Sequence, residues 1–404
     1  MSLQSLFQPR DAGETVEILR ACSEAGTPVH IQGGGSKAAF GRPPDEGATG
    51  IDLSSLSGII LYEPDELVLT ARAGTPLFEI EAAVAERGQC LAFEPPIFGP
   101  LFGSDASSTL GGTVASGWSG PRRIRAGAVR DHVLGAHAVG GDGRIFKSGG
   151  RVVKNVTGFD LPKLLTGSHG TLAVMTEITI KVLPAAESRH TIVVPGLSDG
   201  SAIRLLAELL GAPFEIAGAV HLQATAAAKS GLPAVAGAPA TLIRLEGFGP
   251  SVAERRAALE VLLGTEHNIF MPDLEDADRL WRAVRDVADL VADDRILWRL
   301  SLPATDAAVV VAAISKYLAT EALYDWGGSL VWLALPPAAD AHAGIVRASL
   351  PSGHATLMRA PPEIRARIPV FQPQPAALAA LSRRVKAAFD PQGVLSPRFM
   401  DEEA

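Results

Sequence analysis

At 404 residues the chain is longer than one hydrophobic core supports and has room for two or three domains. Its two cysteines, Cys22 and Cys90, exclude a disulfide scaffold and are too few for an iron–sulfur cluster, which takes about four thiolates, so any cluster belongs to a partner. A net charge of −8 leaves no dominant basic surface and argues against nucleic acid as a ligand.

The opening MSLQSLFQPRDAGETVEIL has neither a basic nor an apolar leader region, so no secretory signal is expected and the cytoplasm is the expected location. No apolar run approaches about eighteen residues, and the candidate at 309–314 is short and bracketed by Asp306 and Lys316; membrane contact is expected to be indirect, at the inner face.

Asp11 as N-cap, with Glu14 three residues on, predicts a helix with Val16, Ile18, Leu19 and Cys22 on its apolar side and Gly26 at its end. A short strand at 29–31 runs into Gly33, Gly34, Gly35, Ser36 and Lys37. Strands are expected at 50–53, 59–62 and 67–71, then a helix capped by Thr75, starting at Pro76 and closed by Gly88. Gly33, Gly35 and Ala38 fit G-x-G-x-x-A, and Asp52 lies near the spacing of a ribose-binding acid. A dinucleotide fold nevertheless requires a helix to begin in that loop, and GRPPDEG at 41–47 cannot supply one. The loop reads better as a nest whose consecutive amides hold a diphosphate, with Ser36 adding a hydroxyl; a plain glycine turn is the alternative.

A second glycine cluster, SSTLGGTVASGWSG at 107–120, is rich in small residues that let a flat ligand approach the backbone. Arg122, Arg123, Arg125 and Arg130 follow within ten residues, as a solvated loop or as a contact to cofactor phosphate or a partner. In GGRVVKNVTGFDLPKLLTGSHGTLAVMTEITIKVLP at 149–184, Gly158, Gly167 and Gly170 mark sharp turns before a strand over 172–182. That strand alternates, with Leu172, Val174, Thr176, Ile178, Ile180 and Val182 on one face.

Beyond residue 184 the chain changes character, holding four of its five tryptophans: Trp281, Trp298, Trp326 and Trp332. A strand at 188–194, a helix at 201–210, strands at 216–222 and 241–246 and a helix at 252–263 give a β-α-β-β-α order that recurs over 296–359. The last helix has Leu378, Leu381, Val385 and Phe389 at helical spacing with Arg383, Arg384 and Lys386 opposite, and core packing is its expected role.

Three stretches together, PVHIQGGGSK at 28–37, STLGGTVASGWSGPRRIRAGAVRDHVLG at 108–135 and the 149–184 segment, resemble the FAD-binding domain of the vanillyl-alcohol oxidase/p-cresol methylhydroxylase (PCMH-type) superfamily. Within it, SGPRR, AGAVRDHVLG and VVKNVTGFDLPKL are most similar to the FAD-binding subunits of bacterial glycolate oxidase complexes, and SGHATLMRA at 352–360 and FDPQGVLSP at 389–397 extend the likeness. The resemblance implies an α+β chain: a PCMH-type domain of two subdomains over 1–184, an antiparallel-sheet cap of ferredoxin-like order over 185–374, and a C-terminal helix and tail over 375–404 returning to the first domain, although SPR stands where NPG is usual. It implies FAD with its pyrophosphate at Gly33, Gly34, Gly35, Ser36 and Lys37. The flavin and ribityl side would lie near Thr109, Gly111, Gly112, Ser116 and Gly117, and the adenosine half near Gly170, Thr171, Val174 and Thr176. Covalent attachment in some relatives uses a histidine just after the loop glycines; Ser36 stands there and His30 precedes the loop, so noncovalent FAD is expected.

The implied activity is oxidation of glycolate to glyoxylate, with a larger catalytic flavoprotein and an iron–sulfur subunit as partners. Such chemistry needs a cation for the carboxylate and a base for the hydroxyl proton. The nine histidines form no H-x-H or H-x-x-x-H pair, so no metal site is expected. Arg299 is the candidate clamp and His354 the candidate base, each against an ordinary structural role. A flavin-binding structural subunit without substrate chemistry and a free-standing oxidase of another 2-hydroxy acid are the alternatives.

Overall fold

The computed structural model describes residues 3–151, 158–229, 235, 237–290 and 294–400. The 152–157 part of the VVKNVTGFDLPKL stretch lies outside them. The chain divides into two compact units: residues 1–119, 127–184 and 373–404 form one, and residues 120–126 and 185–372 the other.

The first unit begins with β1 (Ser5–Phe7), α1 (Ala12–Ala25), β2 (Val29–Gln32) and β3 (Thr49–Asp52), the strands forming a parallel sheet in the order β1-β3-β2. Local chemistry sets α1. The Asp11 carboxylate accepts the Glu14 N–H at 2.9 Å, Glu14 reaches back to the Arg10 N–H at 2.8 Å, and Gly26 closes the helix in the left-handed region at φ 63°. Asp11→Ala is expected to cost about 1 kcal/mol, read as a lower denaturant midpoint at unchanged slope.

Next come β4 (Ile59–Glu63), β5 (Val68–Arg72), α2 (Leu77–Ala85), β6 (Gln89–Cys90) and α3 (Leu110–Ser116). Thr75 does not cap α2, which begins one turn residue later behind Pro76; the Thr75 hydroxyl instead donates to the Arg72 carbonyl at 2.7 Å. The short α4 (Arg123–Ala126) belongs to the second unit. The first unit resumes with α5 (Val129–His132), β7 (Val133–Gly140), β8 (Ile145–Gly149), α6 (Leu161–Leu165), β9 (Ala173–Lys181) and β10 (Leu183–Pro184), the last pairing with β6. A five-stranded antiparallel sheet runs β4-β5-β9-β7-β8. Because β9 is its central strand, Ala173 and Met175 are buried along with Val174 and Thr176, and the expected one-sided alternation fails over that half. One core joins both sheets, with Leu19, Ile51, Leu69, Leu110, Ile178 and Ile180 fully buried.

The second unit contains β11 (Ser188–Pro195), α7 (Asp199–Gly211), β12 (Gly218–Leu222), α8 (Ala224–Lys229), β13 (Ala240–Gly247), α9 (Gly249–Gly264) and α10 (Leu274–Asp286). It continues with β14 (Ile296–Ser301), α11 (Ala304–Ser315), β15 (Glu321–Asp325), β16 (Leu330–Leu335), α12 (Ala343–Ala348), β17 (His354–Arg359) and α13 (Pro362–Arg365). The strands of the two halves join in one seven-stranded antiparallel sheet, β11-β13-β12-β15-β16-β14-β17. An Asp199 carboxylate that accepts from Tyr324 at 2.7 Å and from Gln223 at 2.7 Å ties α7 to this sheet.

Residues 373–404 close the chain in the first unit with α14 (Ala376–Phe389). Core packing was expected along the whole helix, but none of its residues is fully buried: Leu378 is 46% and Leu381 51% exposed, and only Val385 and Phe389 at its end reach the core. Lys386, expected on the solvent face, turns inward, and its ammonium donates to the carbonyls of Thr171 and Leu395 and to the Asp390 carboxylate at 2.6–2.7 Å.

Candidate functional site

The glycine loop leaves the end of β2 with no helix after it, as GRPPDEG requires. Two of its glycines answer to packing. A Cβ on Gly33 would sit 2.2 Å from the Thr109 hydroxyl oxygen and one on Gly34 2.2 Å from the Ser107 carbonyl oxygen, so only glycine lets the loop lie against the start of α3. Gly35 is required by conformation, at φ 80° in open space. Among the described residues the N–H groups of Gly33 to Lys37 make no hydrogen bond, which leaves a run of donors beside a cavity.

That cavity, about 100 Å³, lies within the first unit. Its walls include Gly33, Gly34, Gly35, Ser36 and Lys37 from the loop, Thr109, Gly112 and Ser116 from α3 and its cap, and His169. Thr109 caps α3 through the Gly112 N–H at 3.2 Å, and the Ser36 hydroxyl meets that of Ser108 at 3.2 Å. The structure does not bring every expected residue to this wall. Gly111 packs against Ala73, just past the end of β5, where a Cβ would stand 2.8 Å from that of Ala73, and Gly117 ends α3 at φ 68° against the backbone of Gly167. Gly170 packs on Ile31, the Thr171 hydroxyl donates to Ser168 O, Val174 is in the core, and the Thr176 hydroxyl donates to His137 O. None of these six is among the residues that line the cavity, because sequence adjacency to a binding loop does not decide which way a residue points.

Two wall groups escaped the sequence reading. His169 sits at φ 52° between Gly167 and Gly170, its N–H donating to Ala115 O at 2.8 Å, its ring packed on Phe40, Trp118 and Phe399. Burial, aided by Lys37, drives its pKa down to about 3, so it is neutral. The signal was the SHG run, in which a non-glycine residue occupies the turn. Phe399 and Ser396 also reach the wall, on a C-terminal segment held to β2 by reciprocal backbone bonds, Val29 N–H to Val394 O at 2.7 Å and Ser396 N–H to Val29 O at 2.8 Å. Lys37 carries the formal charge of this wall, and burial lowers its pKa to about 8.

In the second unit the first three members of the arginine run have partners within that unit, although Arg123 and Arg125 are also exposed to solvent. Arg122 binds Glu246 through two bonds of 2.8 Å, Arg125 pairs with Glu215 at 2.9 Å, and Arg123 lies 4.2 Å over the Trp326 ring. Arg299 lies 5.3 Å from the same ring, half-buried, and burial together with Arg123 pulls its pKa down to about 10 against the opposing pull of Asp325. On the sheet Arg299 pairs with Thr356 and His354 with Ser301, so Arg299 and His354 share one face as diagonal neighbours. His354 is exposed at the start of β17. Among the described residues no group of three His, Cys, Asp or Glu side chains is placed to hold a metal.

The FAD binding domain family matches residues 3–149. The glycolate oxidase subunit GlcE of Escherichia coli (strain K12) is 37% identical over 93% of this chain and 93% of its own length. The chain belongs to the GlcE family of glycolate oxidase subunits. It is also 29% identical to the glycolate oxidase subunit GlcD of Bacillus subtilis (strain 168), over 52% of this chain and 43% of that protein. The structure of p-cresol methylhydroxylase with substrate bound aligns over 99% of this chain and 89% of its own with a TM-score of 0.74 and 14% identity, which establishes the PCMH-type fold. FAD is the cofactor of this family domain, and the cavity suits it: close-packed glycines, unbonded amides and a cation without an acid beside it are what a diphosphate requires.

Proposed function

We propose that this chain is the FAD-binding subunit of a complex that oxidises glycolate to glyoxylate, with a larger flavoprotein and an iron–sulfur subunit as its partners. The observation that carries the reading is the end-to-end 37% identity to a glycolate oxidase subunit in a chain whose first unit presents the glycine-loop cavity. The FAD is held noncovalently, since Ser36 rather than a histidine follows the loop glycines. When bound, it supplies a two-electron acceptor. The chain's own part is to hold the diphosphate on the loop, bind the substrate carboxylate at Arg299 and take the hydroxyl proton at His354. No helix among the described residues is long and apolar enough to cross a membrane.

A second reading, in which this subunit binds flavin without substrate chemistry, is favoured by one observation: His354 has no hydrogen-bond partner among the described residues to orient it as a base. Anaerobic glycolate added to the purified complex and to the chain alone separates the two. Bleaching of flavin absorbance in the isolated chain supports substrate chemistry here; bleaching confined to the complex supports the second reading. If Arg299 binds the carboxylate, Arg299→Gln raises the KM for glycolate roughly 10- to 100-fold at unchanged FAD content, as loss of a charge-assisted hydrogen bond requires. An unchanged KM would place the clamp elsewhere.

A further inference from the structure

The cavity wall of the first unit holds a charge arrangement that a structural lysine would not need. Lys37 is half-buried in a wall that contains no Asp or Glu, and among the described residues its ammonium makes no hydrogen bond or ion pair. A cation shielded from water without a counter-ion is costly unless a ligand supplies the negative charge. We infer that Lys37 is the proton-linked anchor of the cofactor: it holds the FAD diphosphate as an ammonium ion, so that the flavin-free chain takes up a proton as FAD binds. The inference rests on the cavity being the FAD site.

The groups facing Lys37 leave it as the titrating one. From the loop before β9 comes His169, neutral throughout the accessible range. From β2 comes His30, whose pKa burial lowers from 6.5, so it too is neutral above pH 7. The α3 wall, Thr109, Gly112 and Ser116, carries no ionisable group, and a Cβ placed on Gly112 would lie 3.9 Å from the Lys37 ammonium. The C-terminal segment contributes Ser396 and Phe399, while Arg398 pairs with Asp45; Arg42, Asp45 and Arg398 line the adjoining crevice with His30. Without FAD, burial holds the Lys37 pKa at about 8, below its usual 10.5. The diphosphate favours the charged form and moves that pKa up. Affinity is therefore level below about pH 8, where Lys37 is already protonated, and falls as pH rises above it, when a proton must be supplied for binding.

The test uses the full chain freed of flavin and titrated with FAD. Flavin fluorescence gives Kd from pH 7 to 9.5, and calorimetry at pH 8 in buffers of different ionisation enthalpy gives the protons taken up. The expected results are a Kd about tenfold higher at pH 9 than at pH 7 and uptake of about half a proton at pH 8. Lys37→Arg, charged at every pH tested, should match the wild type at pH 7 and stay level to pH 9; Lys37→Gln should bind more weakly at pH 7 and also stay level. A level wild-type profile without proton uptake overturns the inference, as does a Lys37→Arg profile that falls like the wild type, since another group would then be titrating. Failure of the wild type to bind FAD at any pH, in a preparation with a cooperative thermal transition, overturns the assignment of the cavity itself and the inference with it.

Discussion

Replacing Lys386 by methionine is expected to lower the stability of the first unit by about 3–5 kcal/mol, because it leaves a buried carboxylate without its cation. The Lys386 side chain is 20% exposed, and its ammonium meets three oxygens: Thr171 O at 2.7 Å, Leu395 O at 2.6 Å and the Asp390 carboxylate at 2.6 Å. Asp390 is 1% exposed and also accepts the N–H groups of Val394 and Leu395 at 3.1 and 2.8 Å. Without the lysine, a buried carboxylate loses its cation, and two carbonyls lose a donor. The thermal transition of the first unit should fall by about 10 °C. Retained FAD should fall with it, because the segment so anchored brings Ser396 and Phe399 to the cavity wall. Adding Asp390→Asn, which removes the stranded charge, should recover part of the loss. A transition within about 2 °C of the wild type would mean that this contact does not hold the C-terminal segment in place.

Gly34→Val is expected to weaken FAD binding roughly 10- to 100-fold while leaving the second unit's unfolding unchanged. The added Cβ would stand 2.2 Å from the Ser107 carbonyl oxygen, a backbone atom fixed just ahead of the α3 cap, so the loop and not its neighbour must move. Overpacking of this kind costs about 1–3 kcal/mol, here taken from the amide run that faces the cavity. The ratio of flavin to protein absorbance after desalting reads the loss directly. Gly35→Asn is the contrast: φ is 80° but no atom lies within 4 Å of the added Cβ, and asparagine tolerates the left-handed region, so the loss should be a few-fold at most. Equal FAD retention in Gly34→Val and wild type would remove the loop from the cofactor site.

The features legible in the sequence were those whose cause lies within a few residues. Asp11 and Gly26 bound α1 because a carboxylate three residues from an amide and a glycine free to take φ 63° act locally. The sharp turns at Gly158, Gly167 and Gly170 and, apart from α8 between β12 and β13, the repeated β-α-β-β-α order of the second unit were likewise readable. One local signal went unread: Asp273 caps α10, whose Ala277, Leu280, Trp281 and Val284 follow at helical spacing.

By itself, then, the sequence determined the ends of α1, the glycine turns, the order of elements along the second half and, through three separated stretches, a PCMH-type flavoprotein. Tertiary structure decided which side each of these presents. Lys386, grouped by its sequence position with Arg383 and Arg384 on a polar face, meets the carbonyl of Thr171, 215 residues away. Gly111 and Gly112 are adjacent, but one packs on Ala73 and the other lines the cavity, because successive helical residues point about 100° apart. Likewise, Arg122 and Arg125 find Glu246 and Glu215 at separations of 124 and 90 residues, and His169 meets Phe40 across 129 positions. Periodicity fixes where a side chain points relative to its own element, whereas its partner is fixed only when the sheets are assembled and distant segments share a core.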